Sequence, residues 1–152
     1  RTDLGRFEHQ FGNGSSPVLH GDLAILWTGP NEPGKGRNDL LAVNKKTGAT
    51  VWEHKEEKGG SWGTPVITKV NGQDQLILGV PFKLKGFDPA TGKELWFCDG
   101  LTQLVYTSPL YANGIAVGMS GYNGSALAVK LGGSGDITKD PGPDVTDCNP
   151  ST

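Results

Sequence analysis

One stretch of this chain is written twice. Ala42 to Trp52 reads A-V-N-K-K-T-G-A-T-V-W, and 44 residues later Gly86 to Trp96 reads G-F-D-P-A-T-G-K-E-L-W. Asn44 corresponds to Asp88, Thr47 and Gly48 to Thr91 and Gly92, Val51 to Leu95, and Trp52 to Trp96. A fixed offset of this size marks a repeat architecture, which limits the possible folds before any residue is read for chemistry. Each copy reads as two short apolar strands around a turn. The Asn or Asp can bond its own backbone there, and the Gly tolerates positive φ. A closing Trp is too large for one hairpin to bury, so each copy calls for a neighbouring unit to pack on.

The register extends beyond the motif. Pro17, Pro65 and Pro109 each open a short apolar run, and the first position of a strand is one of the few places a sheet accepts proline. Three units follow. The first has strands at Ser16–His20, Leu23–Trp27, Leu40–Val43 and Val51–His54, and the second at Thr64–Ile67, Gln75–Val80, Leu84–Phe87 and Leu95–Phe97. The third has Ser108–Tyr111, Ile115–Met119 and Ala126–Val129, after which Lys130 to Gly135 replaces the T-G-x-x-x-W half. Glycine (24) and proline (10) are abundant, hydrophobic content is only 35%, and no long window has helical apolar spacing, so the chain is read as all-β.

The expected organisation is a strand remnant and connector over 1–11, units over 12–57, 58–100 and 101–131 (the last degenerate), and a loose Gly/Pro/Asp-rich tail over 132–152. The net charge of −2 without a basic run gives no reason to expect nucleic acid. No apolar run is long enough for a membrane span, and the first residues do not form a signal peptide. Cys98 and Cys148 make neither a metal framework nor a C-x-x-C pair, and one disulfide between them is an open alternative.

Four strands per unit, about 44 residues long and closed by a Trp, describe a β-propeller blade. At A-x-N/D-x-x-T-G-x-x-x-W the chain resembles the PQQ-like repeat. That blade occurs in quinoprotein dehydrogenases and in non-catalytic relatives such as the bacterial outer-membrane assembly lipoprotein. The resemblance covers roughly residues 12–131 and implies an incomplete propeller of about three blades. It implies a blade-docking role for Trp52, Trp96, Gly48, Gly92, Thr47, Thr91, Asn44 and Asp88. It also suggests a bacterial, periplasmic or exported setting.

Quinone-binding members place adjacent cysteines, a Trp platform, a Ca²⁺ site and a catalytic Asp around the cofactor. No adjacent cysteines occur here, so no catalytic, cofactor or metal residue is carried over, and the chain is expected to be no enzyme. The expected role is a protein-interaction or scaffold segment, and the alternative is a piece of a quinoprotein dehydrogenase whose active site lies in other blades. Exposed strand edges point to self-association, with Leu4–Gln10 of one copy standing in for the third unit's fourth strand in another. Loops Gly29–Asn38, Gly59–Gly63 and Pro81–Lys83, with Arg37, Trp62 and Lys83, are the expected partner surface, and the turns at the opposite end are the alternative.

The remaining motifs are weak. Gly29 to Lys35 matches the start of a phosphate loop, but Gly36 stands where Ser or Thr is needed, and Pro30 and Pro33 remove backbone donors. His9, His20 and His54 have no ligand spacing, and Asp136, Asp140, Asp144 and Asp147 lack the rhythm of a calcium loop. Asn13-Gly14-Ser15 and Asn123-Gly124-Ser125 are formal glycosylation acceptors.

Overall fold

In the first unit every short apolar run becomes a strand: β1 (Val18–His20), β2 (Leu23–Trp27), β3 (Asp39–Asn44) and β4 (Thr50–Lys55) form one antiparallel sheet in chain order. The second unit repeats this with β5 (Val66–Val70), β6 (Gln73–Val80), β7 (Lys83–Phe87) and β8 (Glu94–Asp99). The third holds β9 (Leu110–Ala112), β10 (Ile115–Met119) and β11 (Ala126–Lys130). A two-residue strand, β12 (Gly135–Asp136), pairs in parallel with β8 at Trp96 and Phe97. This computed structural model describes residues 3–6, 8–31, 35–56, 60–122 and 124–138, and no helix occurs among them. The fold is all-β, a set of about three propeller blades.

Two apolar cores hold the blades face to face. Ile25, Trp27, Leu40 and Ala42 of the first blade meet Leu76, Leu78, Val80 and Phe87 of the second. On the other side Ile77, Leu84, Trp96 and Cys98 meet Ala116, Leu127 and Val129 of the third, with Leu101 and Val105 from the connector. Alternate side chains of a strand point to opposite faces. The central blade is covered on both faces, so β6 is apolar from Leu76 to Val80 and Leu76, Ile77 and Leu78 are all fully buried. In β10 only Ala116 and Gly118 are buried, while Ile115 and Met119 stay exposed on the open face.

The first strands of neighbouring blades converge: β1 touches β5, and β5 touches β9. Their openers are tied in series. Ser16 N donates to Thr64 Oγ1 (3.0 Å), and Thr64 N donates to Ser108 Oγ (2.9 Å). The connectors pair as well, with Val105 N donating to Gly60 O and Trp62 N to Val105 O.

Two expectations are corrected here. The described residues of Leu4–Gln10 are not a strand. Gly5 sits at φ 81, residues 9–12 close a turn, and Glu8 N donates to the Asn31 side chain instead of a sheet edge. The tail is not wholly loose either. Ile137 N donates to Phe97 O (3.0 Å) and Asp99 N to Thr138 Oγ1 (3.1 Å), so residues 135–138 cover the outer edge of the second blade. Residues 139–152, with Cys148 and the later aspartates, lie outside the described residues, as do Phe7, Gly59 and Asn123.

Candidate functional site

The N/D-x-x-T-G turn is a local hydrogen-bonded unit in both copies. Asn44 Oδ1 accepts from Lys46 N and Thr47 N (both 3.0 Å), and Gly48 N donates to Asn44 O (2.8 Å). In the second copy Asp88 accepts from Ala90 N and from Thr91 Oγ1 (both 2.8 Å), and Gly92 N donates to Asp88 O (2.8 Å). Gly48 and Gly92 sit at φ 77 and φ 73, where a Cβ is strained.

Gly92 has a second constraint. A Cβ there would collide with the indole of Trp52, which reaches across from β4 of the preceding blade. Trp52 Nε1 donates to Pro89 O of the same turn (3.2 Å). The ring is therefore seated on the next blade's turn. Trp96 is placed differently. It is 1% exposed, lies over its own cross-strand partner Gly86, and donates from Nε1 to Gln75 Oε1 (2.9 Å) within its own sheet. Its ring still faces the third blade through the shared core.

Beside Trp52, the seam between the first two blades opens into a cleft of about 400 Å³ lined by His54, Glu56, Val80, Phe82, Lys85 and Glu94, among others. The period-2 pattern of β4 sends His54 to the same face as Trp52, edge-on to Phe87 at 4.9 Å between ring centres. Lys85 Nζ lies 2.5 Å from Glu56 Oε1 and 3.0 Å from Glu94 Oε2, and His54 Nε2 lies 3.3 Å from Glu56. Burial pushes the Glu56 carboxyl up, but hydrogen bonds from His54 and Lys85 outweigh it and hold the group below its usual range. Burial likewise pulls the Lys85 ammonium down, and Glu56 and Glu94 reverse this so that it stays above its usual range.

His54, Glu56 and Glu94 could each turn one ligand atom to a common point, the donor set of a divalent cation. Lys85 already neutralises both carboxylates from inside that set. With Lys85 inside it, this set does not fit a divalent cation such as Ca²⁺, and the cluster acts as an ionic clamp from the first blade to the second. Sequence reading missed it because its members lie far apart along the chain. Only the alternation of His54 and Glu56 after Trp52 hints at a polar edge on the docking face.

The three residues expected on a partner surface do not come together. Arg37 pairs with Asp39 (2.6 Å) and with Glu53, and Asp39 above all raises its pKa. Lys83 pairs with Asp99 (3.0 Å) and lies 3.7 Å above the Phe97 ring. Trp62, on the loop between the first two blades, is half-buried between His9 and Tyr106 and donates to Gly12 O (3.0 Å). The loop with the phosphate-like spacing is closed by Asn31, whose side chain donates to Thr28 O and Arg37 O. His20 bonds Asp74 across the first seam (3.1 Å), a second polar tie between these blades beside the one at His54. Among the described residues no helix is long and apolar enough to cross a membrane.

No family model matches the sequence, and no curated protein matches it. A solved structure does: the quinohemoprotein alcohol dehydrogenase ADHIIG from Pseudomonas putida HK5, with TM-score 0.60 and 18% identity. The match covers 85% of this chain and 20% of that one. It also corrects the expectation that the chain is no enzyme. The matched propeller is an enzyme's, so the fold gives no ground for setting the chain among non-catalytic relatives. The chain is similar in fold to one fifth of a quinohemoprotein alcohol dehydrogenase, and spans that share of its length.

Proposed function

We propose that this chain forms consecutive blades of a quinoprotein-dehydrogenase-type propeller and builds its wall, while the quinone centre is held by residues outside these blades. The observation that carries this reading is the pair of continuous interblade cores in a chain that matches one fifth of an alcohol dehydrogenase. The Lys85-neutralised cluster supports it, because the best-placed donor set in the cleft is already spent on joining two blades. Trp52 on the Gly92 turn and Trp96 in the second core act in the same way, as locks between successive sheets.

The test uses PQQ with Ca²⁺ and gel filtration. This chain alone is expected to elute without quinone absorbance. The same blades joined to the rest of a full-length propeller are expected to retain quinone and reduce an artificial dye with an alcohol. Quinone held by these blades alone, or a full-length propeller that retains none, overturns the reading.

A further inference from the structure

The strands run between two ends, and the ends differ in charge. At one end the tight turns are flanked by Asp22, Lys45, Lys46, Lys69, Asp74 and Lys93, which form ion pairs such as Lys45 with Asp22 (3.5 Å) and Lys69 with Asp74 (2.7 Å). At the other end the connectors 11–17, 60–65 and 100–109 meet the loop 119–122. Charged residues make up 20% of the chain, yet none stands in these four segments. Arg37 and Lys83, also at this end, are each paired with a carboxylate of their own blade.

The four segments form one surface. Gly14 lies against Trp62, Val105 N donates to Gly60 O (2.8 Å), and Gly121 N donates to Leu104 O (2.9 Å). Trp62 and Tyr106 stand on connectors whose neighbouring blades are both present, so this surface belongs to neither outer sheet face. Aromatic rings cross it in series. Phe11 meets His9 at 5.7 Å between ring centres, His9 meets Trp62 at 5.0 Å, and Trp62 meets Tyr106 at 5.1 Å. Gly121 sits so close to the Tyr106 ring that a Cβ there would collide with it. Tyr122 follows at φ 54 and is 86% exposed. That backbone is strained for a bulky residue, and strain of this kind gathers at binding sites.

The chemistry of the surface selects its ligand. An anion would call for Lys or Arg, and a cation for carboxylates, and the four segments hold neither. A wholly apolar ligand would cover the exposed Gln103 amide and the tyrosine hydroxyls without answering them. A neutral saccharide answers both kinds of group. Its C–H faces pack on aromatic rings, and its hydroxyls bond uncharged donors and acceptors. The ring series from Phe11 to Tyr106 is longer than one sugar unit. We propose that the connector surface carrying Trp62, Tyr106 and Tyr122 binds a neutral oligosaccharide, a role beyond building the propeller wall.

Calorimetric titration of the full chain with maltohexaose and with cellohexaose, at low and at molar NaCl, tests it. Saturable binding of at least one is expected, with the same affinity at both salt concentrations because no ion pair is made. Tyr122→Ala, at an exposed position, is expected to weaken binding by about two- to tenfold with unchanged circular dichroism, the worth of one aromatic contact. Tyr106→Ala should lose at least as much, and Lys46→Ala, among the charged turns, should lose nothing. No saturation by either sugar, an affinity that falls with salt, or an equal loss in Lys46→Ala overturns the proposal. Equally tight binding of a thymidine oligonucleotide, whose bases also stack on rings, overturns it too. Quinone plays no part in this readout, so its failure is distinct from failure of the dehydrogenase reading.

Discussion

Trp52 and Trp96 hold the same place in two copies of one motif, yet their indoles find different partners. Trp52 bonds across the seam to Pro89 O and rests on Gly92 of the next blade. Trp96 bonds Gln75 of its own sheet and lies over Gly86. Two substitutions between the copies account for this. Where the second blade has Gly86 across from the Trp, the first has Ala42, whose Cβ occupies the space the folded-back ring would need. Where the second blade has Gln75, the first has Leu23, which offers no acceptor. A buried indole N–H must find one somewhere, so Trp52 reaches to the following turn. The third blade has no T-G turn for Trp96 to reach, and the second blade supplies the acceptor itself. A motif residue thus fixes that a large ring closes the strand, and its neighbours fix where the ring goes.

The sharpest way to break the comparison is to remove the rings. Trp96→Ala is expected to cost about 3–5 kcal/mol, the range for a fully buried aromatic. Trp52→Ala, only half-buried, should cost about 1–2 kcal/mol. Urea unfolding of both would show whether the gap follows burial. Gly86→Ala drives a methyl into the Trp96 indole, and a loss of about 1–3 kcal/mol is expected by the same measurement. Adding Leu23→Gln and Ala42→Gly to the first blade should turn Trp52 back onto its own sheet. A structure of that variant still showing the Pro89 bond would refute the explanation.

Gln75→Leu, leaving the Trp96 N–H unpaired, is expected to cost about 1–3 kcal/mol. The smallest effects belong to the turns. Asn44→Ala and Asp88→Ala should each lose about 0.5–1.5 kcal/mol, with Asp88→Ala the larger because that turn also carries Trp52. Equal losses would show that the ring takes no support from the turn.

The ionic clamp distinguishes the first seam by pH. Glu56 is held below its ordinary 4.5, so its contribution is complete above that value and fades as pH falls through the lowered one. Lys85 is held above its ordinary 10.5, so its contribution is complete below that value and fades as pH rises through the raised one. Stability from the clamp should therefore be level between these limits. Glu56→Gln is expected to reduce the acid-side loss in a pH series of urea midpoints, and a wild-type slope in that variant would assign the loss to other carboxylates.

The strands and turns were legible because their causes are local. The Asn and Asp turns close on their own backbone, the openers start on proline, and alternation shows which residues share a face. The same local signals misread Leu4–Gln10, where apolar spacing suggested a strand but Gly5 and the 9–12 turn divert the chain. They gave no warning of β12, because two residues without apolar character carry no periodic signal. The clamp was hidden for a different reason. His54, Glu56, Lys85 and Glu94 are ordinary charged positions until two sheets are stacked. The order of amino acids alone determined that this protein is a series of antiparallel sheets, the first two ending on a Trp strand, since backbone preference and the apolar period act over a few residues. Stacking alone decided which acceptor each indole reaches, which charges become buried partners and which apolar faces stay open, because those depend on what the next sheet brings within reach.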